Sequence, residues 1–289
     1  ILLIKEILKD RKILVFSFQA NLYCIIICKL FSVKVISRSN SAPIGWSKNF
    51  LKKKIFKIIL NLSNVVIVNS HQFKNDLEKE FNVKAKTIYN PLNKIEIIKK
   101  TRQKSRIIFD PKKKLRILNI GRFTDQKDQL TFLKSLNLIK NDFEFEARIV
   151  GRGKLRKKLN NYIINQNLQR NVKILDFVDN PYPLIKQSNL FVLTSKFEGL
   201  PNVLLESLAL RKFVISSNCH TGPKEILLNG KGGLLFKVGD YKELASKIRY
   251  FFFNKKKCQK LSTRAYQSLD RFDYKKNLKE YEDLVRSQF

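Results

Sequence analysis

Short runs of branched and aromatic residues recur along this chain, and amphipathic stretches of helical period fill the gaps between them. No other feature limits the fold as tightly. Short apolar runs of this kind read as strands, and strands that alternate with helices build parallel βα units. Strands are expected over residues 12–18, 33–37, 64–69 and 86–90. A second, more regular series is expected over 115–120, 146–150, 172–177, 190–194, 213–216 and 233–236. Ser70 suits the N-cap of a helix over 71–80, and the chain from Tyr241 onward reads as nearly all helical. Between the two series, the charged stretch 91–114 shows no strand pattern and reads as an interdomain linker.

The first series is shorter than a Rossmann-type half, which needs an opening strand and a Gly-rich turn. Nothing before Lys12 supplies them, so at least two βα units of roughly 30 residues each are expected upstream. The absence of Met and the start at Ile1 point the same way, to a piece of a longer chain.

Composition narrows the partners. Lys+Arg number 58 against 24 Asp+Glu, a net charge of +34 that favours polyanions. Free use of Lys, Ile and Asn accounts for such a balance by drift alone, and attraction to an anionic membrane surface is the next reading. Helix-turn-helix, zinc-finger and RNP-like patterns are missing, so nucleic acid is not expected as a partner. Cys24 and Cys28 share a helical face but have no His or second Cys pair near them, so they read as buried thiols rather than a metal site. With Cys219 and Cys258 they suggest a reducing cytoplasm. The longest apolar run, Leu22 to Cys28, is too short to span a bilayer.

Four constellations stand at the carboxyl ends of strands in the second series, where open α/β sheets bind ligands. In Asn119-Ile-Gly-Arg-Phe-Thr-Asp-Gln-Lys127, Gly121 turns the backbone away from the strand. Arg122 and Lys127 then stand at the crevice, as two solvated cations or as a guanidinium fork and an ammonium holding a diphosphate. Val150-Gly-Arg-Gly153 is either a close backbone approach to a ligand or a plain tight turn. In Glu198-Gly-Leu-Pro-Asn-Val-Leu-Leu-Glu206, Pro201 suits the first helical position, which leaves Glu198 on the turn and Glu206 inside the helix. Glu206 is embedded among leucines, a costly place for an acid without partners. It is suited to a ribose diol, and Glu198 to a hydroxyl of a transferred sugar. In His220-Thr-Gly-Pro-Lys-Glu225, Pro223 opens a helix and Glu225 serves as a capping carboxylate, while the amides of Thr221 and Gly222 face the ligand side.

Together these motifs resemble the family 4 glycosyltransferases, retaining enzymes of the GT-B fold, also grouped as glycosyl transferases group 1. Asn180-Pro-Tyr-Pro-Leu-Ile, Phe191-Val-Leu-Thr-Ser-Lys-Phe-Glu-Gly and Ile88-Tyr-Asn-Pro-Leu add to the likeness. It is specific over 115–240 and looser before Pro91. The resemblance implies two Rossmann-like α/β domains facing a cleft. An incomplete acceptor-side domain with its linker would occupy 1–105, a donor domain 106–272, and a helix returning to the first domain 273–289.

It also implies roles. Arg122 and Lys127 bind the donor diphosphate, Glu206 the ribose and Glu198 the donor sugar, while Gly121, Gly199, Leu200, Asn202 and Val203 line the donor site, those from Gly199 on offering backbone amides. Catalysis then rests on Glu198, Arg122 and Lys127 without metal or cofactor, and the departing phosphate takes the acceptor proton on the same face. The implied reaction moves a hexose or N-acetylhexosamine from a UDP-linked donor to a lipid-linked or polysaccharide acceptor at the cytoplasmic face of the membrane. The family's His at the end of a first-domain strand is replaced by Ile36-Ser-Arg-Ser-Asn40, which leaves Arg38 to face an acceptor phosphate. Asp176 stands where Gly is common. The competing reading is a fragment that binds nucleotide without turning it over.

Overall fold

The computed structural model describes residues 2–18, 21–40, 50–104 and 108–289. They divide into two compact units, one of residues 1–91 with 274–289 and one of residues 92–273. The boundary expected at 105/106 lies outside the described residues.

In the first unit the elements run α1 (Leu2–Lys9), β1 (Leu14–Ser17), α2 (Asn21–Leu30), β2 (Lys34–Ser39), α3 (Phe50–Asn61), β3 (Val65–Val68), α4 (His71–Phe81) and β4 (Lys86–Thr87). The four strands are parallel in the order β1-β2-β3-β4, with Leu14 opposite Lys34 and Ile36 opposite Val65. Parallel neighbours need crossovers, and the helices supply them. Helices α2, α3 and α4 cover one face of the sheet, joining Ile25, Leu60, Phe73 and Leu77 to Val35 and Val66. The Ser70 side chain accepts from the Phe73 amide at 3.2 Å, so the expected cap is formed. Asn82 closes α4 in the left-handed region, at φ 48°, a conformation Asn tolerates better than most residues. On the other face lies α13 (Tyr274–Arg286), which sets Leu284 against Ile36, Ile67 and Ile88.

The second unit continues with α5 (Lys94–Lys100), β5 (Leu115–Ile120), α6 (Gln129–Ile139), β6 (Phe145–Val150), α7 (Arg156–Asn165), β7 (Val172–Leu175) and α8 (Tyr182–Gln187). Then come β8 (Leu190–Leu193), α9 (Asn202–Ala209), β9 (Phe213–Ser217), α10 (Pro223–Ile226), β10 (Leu234–Phe236), α11 (Tyr241–Phe253) and α12 (Lys255–Gln267). Its six strands are parallel in the order β10-β9-β8-β5-β6-β7. Strands β6, β8 and β9 are buried along their whole length, and β8, Leu-Phe-Val-Leu, reads as a continuous apolar run for that reason.

Helix α5 stands in the stretch read as linker. Asn93 caps it by accepting from the Glu96 amide at 3.0 Å, and Ile97 buries its inner side. Further along the same stretch, the Asp110 amide donates to Glu146 at 2.7 Å, and the buried Arg148–Glu146 pair closes at 2.7 Å with the Phe109 ring 4.5 Å from the guanidinium. Two charged side chains inside a strand are thus used to fasten the preceding segment.

Candidate functional site

Chain order and strand order part company between β5 and β8. From β5 the chain builds outward to β6 and β7, then returns to lay β8 on the other side of β5. Helices leave the sheet in opposite directions there, so a crevice opens at the carboxyl ends of the two strands. A cavity of about 640 Å³ occupies this point, lined by Gly121, Arg122, Lys127, Glu198, Asn202 and Glu206 among others.

Two tight turns form its floor. The Gly121 amide donates to the Val150 carbonyl at 3.0 Å and the Phe123 amide to the Arg152 carbonyl at 2.9 Å. A Cβ on Gly151 would stand 2.0 Å from the Gly121 oxygen, so the Gly-x-Gly after β6 is required by this contact between backbones, the tight-turn reading. Arg152 still reaches the cavity, where its guanidinium lies 5.1 Å from the centre of the exposed Phe177 ring.

The loop carrying the cations is fixed at its far end to β8. Thr194 donates to the Lys127 carbonyl at 2.8 Å, the Lys196 amide to the Gln126 carbonyl at 2.8 Å, and the Gln126 side chain to the Phe197 carbonyl at 3.0 Å. Asp128 then caps α6 by accepting from Thr131. Arg122 stays exposed, with Gln126 3.4 Å away. Lys127 does not point freely at the crevice: its ammonium lies 2.5 Å from Glu198, with the two side chains 16% and 9% exposed. The same Glu198 oxygen accepts from Ser195 at 2.6 Å, and Ser217 donates to the Ser195 carbonyl at 2.6 Å.

The turn from Glu198 to Pro201 rests on the Thr221-Gly222-Pro223 turn. Thr221 donates to the Glu198 carbonyl. Gly222 has φ +87°, and a Cβ there would fall 2.1 Å from the Gly199 oxygen, so both handedness and space demand glycine. Helix α9 starts at Asn202 with Pro201 as its N-cap, one position later than expected. Glu198 therefore stays on the turn and Glu206 enters the second turn of the helix. Pro223 opens α10 with Glu225 in its first turn.

Burial lifts the Glu206 carboxyl above the usual carboxylate range, and a hydrogen bond from the Tyr182 hydroxyl offsets part of that rise. Burial, the Glu206 charge and this same bond push the Tyr182 phenol up to about 12. Below the turn, burial first and Glu198 second push the Cys219 thiol up to about 12.

The structure gathers Gly121, Arg122, Lys127, Glu198, Leu200, Asn202, Val203 and Glu206 around one cavity, and Gly199 adjoins it. Arg38 belongs to the first unit. It donates to Asn90 at 2.7 Å, and its guanidinium is 5.8 Å from the Phe18 ring and 5.6 Å from the Tyr281 ring, beside an apolar cavity of about 550 Å³. Sequence reasoning missed Arg152, Phe177 and Tyr182 as lining residues. Tyr182 had a signal, the Asn-Pro-Tyr-Pro motif, whereas Phe177 was read as the end of a strand that stops at Leu175. Among the described residues, no group of three His, Cys, Asp or Glu side chains stands together as a metal site, and no helix is long and apolar enough to cross a membrane.

Known proteins resemble this chain in sequence and in fold. An uncharacterised glycosyltransferase of Methanocaldococcus jannaschii is 35% identical over 220 residues, covering 70% of this chain and 53% of that protein. The N-acetylgalactosamine-N,N'-diacetylbacillosaminyl-diphospho-undecaprenol 4-alpha-N-acetylgalactosaminyltransferase of Campylobacter jejuni is 26% identical over 226 residues, 75% of this chain and 60% of that one. The chain thus spans little more than half the length of these relatives. Among solved structures, HepE of Anabaena in complex with UDP superposes with a TM-score of 0.79 at 18% identity, over 95% of this chain and 78% of that one. Sucrose-phosphate synthase of Thermosynechococcus elongatus gives 0.82 at 16% identity, over 99% and 76%. At such identities the likeness establishes the fold, GT-B. The family model for glycosyl transferases group 1 matches residues 100–268, more than half of the chain and every residue named above around the cavity between β5 and β8. The chain belongs to the glycosyl transferases group 1 family.

Proposed function

We propose that the protein is a retaining glycosyltransferase of family 4 that moves a hexose or N-acetylhexosamine from a UDP-linked donor to a lipid-linked or polysaccharide acceptor. The observation that carries this reading is the spacing of charge around one cavity. Arg122 and Lys127 stand at the β5 side and the half-buried acid Glu206 on α9, which suits a ligand with anionic and diol ends. The cations take the diphosphate, and the Glu206 carboxylate, already turned by Tyr182, accepts from the ribose hydroxyls.

Glu198 takes a hydroxyl of the donor sugar. As the glycosidic bond lengthens, negative charge grows on the leaving diphosphate, and Arg122 and Lys127 stabilise it without a metal or cofactor. A phosphate oxygen of the leaving group accepts the proton of the attacking hydroxyl on the same face, which retains the anomeric configuration. Relatives named for undecaprenol-linked and capsular acceptors support a role in cell-surface glycan synthesis. On this reading the protein works at the cytoplasmic face of an anionic membrane, and Arg38 contacts an acceptor phosphate.

Calorimetric titration of UDP and UDP-sugars tests the donor half. Binding lost in Glu206→Ala is the expected result, and no binding to the chain would sink the reading. Transfer of label to an undecaprenol-linked acceptor tests the rest.

A further inference from the structure

Cations gather at the amino end of the second sheet, opposite the donor cavity, and the fold gives them no counter-charge. The register that sets Ile117 opposite Leu190 and Leu190 opposite Phe213 places Arg116, Asn189 and Lys212 in one row across β5, β8 and β9. Side chains alternate along a strand. Leu115, Ile117, Leu190 and Phe213 belong to the core on one face, so the row stands on the other, where α8 and α9 pack. The Asn189 side-chain oxygen accepts from the Arg116 amide at 2.9 Å, and the Asn189 amide donates to the Arg116 carbonyl at 2.8 Å. That leaves the Asn189 side-chain NH2 as a donor. The Lys212 amide is anchored on the Ser207 carbonyl at 2.9 Å, and Lys186 stands in the last turn of α8. Arg116, Lys186 and Lys212 make no ion pair among the described residues, and the Arg116 Nε is buried without a hydrogen-bond partner. Glu146, in register with Arg116, is already held by Arg148 and by the Asp110 amide, each at 2.7 Å. Burial first, then the charges of Arg116 and Lys186, push the Lys212 ammonium down to about 8, the response of a cation crowded by others without a counter-ion.

We infer that Arg116, Lys186, Asn189 and Lys212 form a second anion site, which takes the phosphate or pyrophosphate group of a small soluble compound. A guanidinium, two ammonium groups and an amide NH2 offer several donors to one ligand. A phosphate group answers with about three acceptor oxygens and close to two negative charges at neutral pH. A carboxylate has fewer oxygens and one charge, and would leave part of the cluster unmet. Lys212 is half-buried and the Arg116 Nε is buried, so a compact anion reaches them better than a flat bilayer or a nucleic-acid backbone does. Once bound, it gives the Nε an acceptor and relieves the repulsion among the cations. None of the four residues lines the donor cavity, so the inference stands apart from the donor reading.

The test follows Lys212 itself by NMR. The full chain is labelled with carbon-13 at lysine Cε, the Lys212 signal is assigned by its loss in Lys212→Arg, and its pH titration is recorded with and without inorganic pyrophosphate at fixed ionic strength. Pyrophosphate should raise the midpoint from about 8 by at least about one pH unit, toward the ordinary lysine value. Arg116→Gln should shrink that rise. In melting curves, Lys212→Gln should match or exceed the wild type in plain buffer, because a crowded cation is gone, and should gain less than the wild type from pyrophosphate. UDP titration of Lys212→Gln should match the wild type. A Lys212 midpoint that pyrophosphate leaves unmoved overturns the site. Equal gains in the two melting curves also overturn it, by placing the anion in the donor cavity alone. Weakened UDP binding in Lys212→Gln would overturn its separation from the donor. Should Lys212→Gln unfold, Arg116→Gln decides: a midpoint rise as large as in the wild type overturns the inference.

Discussion

Lys127 and Glu198 were expected to serve different parts of a donor, and they share one ion pair. Glu198→Gln shows what the pair is for. The amide keeps the shape of the side chain and an acceptor for Ser195, but removes the charge from a contact at 2.5 Å between groups 16% and 9% exposed. Removing one partner of a buried pair outright costs about 3–5 kcal/mol. An isostere that still accepts a hydrogen bond retains part of that, so a loss of about 2 kcal/mol is expected. In a unit of this size each kcal/mol moves the Tm by about 2–4 °C, which gives a fall of about 4–8 °C. Nucleotide binding should move the other way. Glu198 competes with a diphosphate for the Lys127 ammonium and repels the phosphate oxygens. Without its charge UDP should bind about five- to tenfold tighter, or roughly 1–1.4 kcal/mol. Transfer should fall by at least about tenfold, because the sugar contact and its charge are lost. Differential scanning fluorimetry and calorimetry on one preparation measure both effects. Weaker UDP binding alongside the lower Tm would refute the competition, showing that Glu198 instead orients Lys127 for the ligand.

Four further outcomes follow from the same geometry. Burial raises the Glu206 carboxyl, so the stability tied to its protonated form is present below the ordinary Glu value and lost as pH rises through the elevated one. Glu206→Gln should therefore melt higher than wild type at neutral pH and level with it in acid, and a pH-independent difference in Tm would contradict this. The same variant should bind UDP about 1–3 kcal/mol more weakly, as one charged hydrogen-bond partner is lost. Gly222→Ala must hold φ near +87° with its Cβ 2.1 Å from the Gly199 oxygen. A loss of about 1–3 kcal/mol or more is expected together with weaker UDP binding, and a wild-type melting curve would count against the packing of the two turns. Cys219, 2% exposed and pushed up to about 12, should resist alkylation in the native chain at neutral pH and react on unfolding; mass mapping of rapid native labelling to Cys219 would contradict its burial.

Every expected strand has a counterpart, and a strand buried on both faces, such as β8, cannot alternate and reads as an apolar run. Their ends were less legible. The run over 172–177 stops at Leu175, since Asp176 and Phe177 turn outward and Phe177 stands beside Arg152. Helix α5 was hidden for another reason. Seven residues with four charges have a weak period, and what holds them is the Asn93 cap and the burial of Ile97 among more distant elements. Gly151 was legible as a glycine that mattered but not as to why, because its neighbour in space, Gly121, follows the paired strand β5 and is distant in sequence.

The least legible feature is the one most relevant to chemistry. Motifs at the ends of β5 and β8 are separated by 71 residues at Lys127 and Glu198, and no periodicity relates them. The strand order does. Reversing direction at β5 makes β5 and β8 neighbours, so a cation from the first loop and an acid from the second reach the same crevice from opposite sides. Each charge can then be held near the sheet in a dry position without the penalty of standing alone. On the proposed donor reading, a diphosphate entering there meets a cation already neutralised, and its binding requires the carboxylate to give up that partner. The donor sugar supplies the replacement, hydroxyl hydrogens for Glu198, whereas a nucleotide without sugar does not. A site built this way favours the intact donor over the spent nucleotide by exchanging hydrogen-bond partners, and the wild-type pair should therefore discriminate between UDP-sugar and UDP more strongly than Glu198→Gln does.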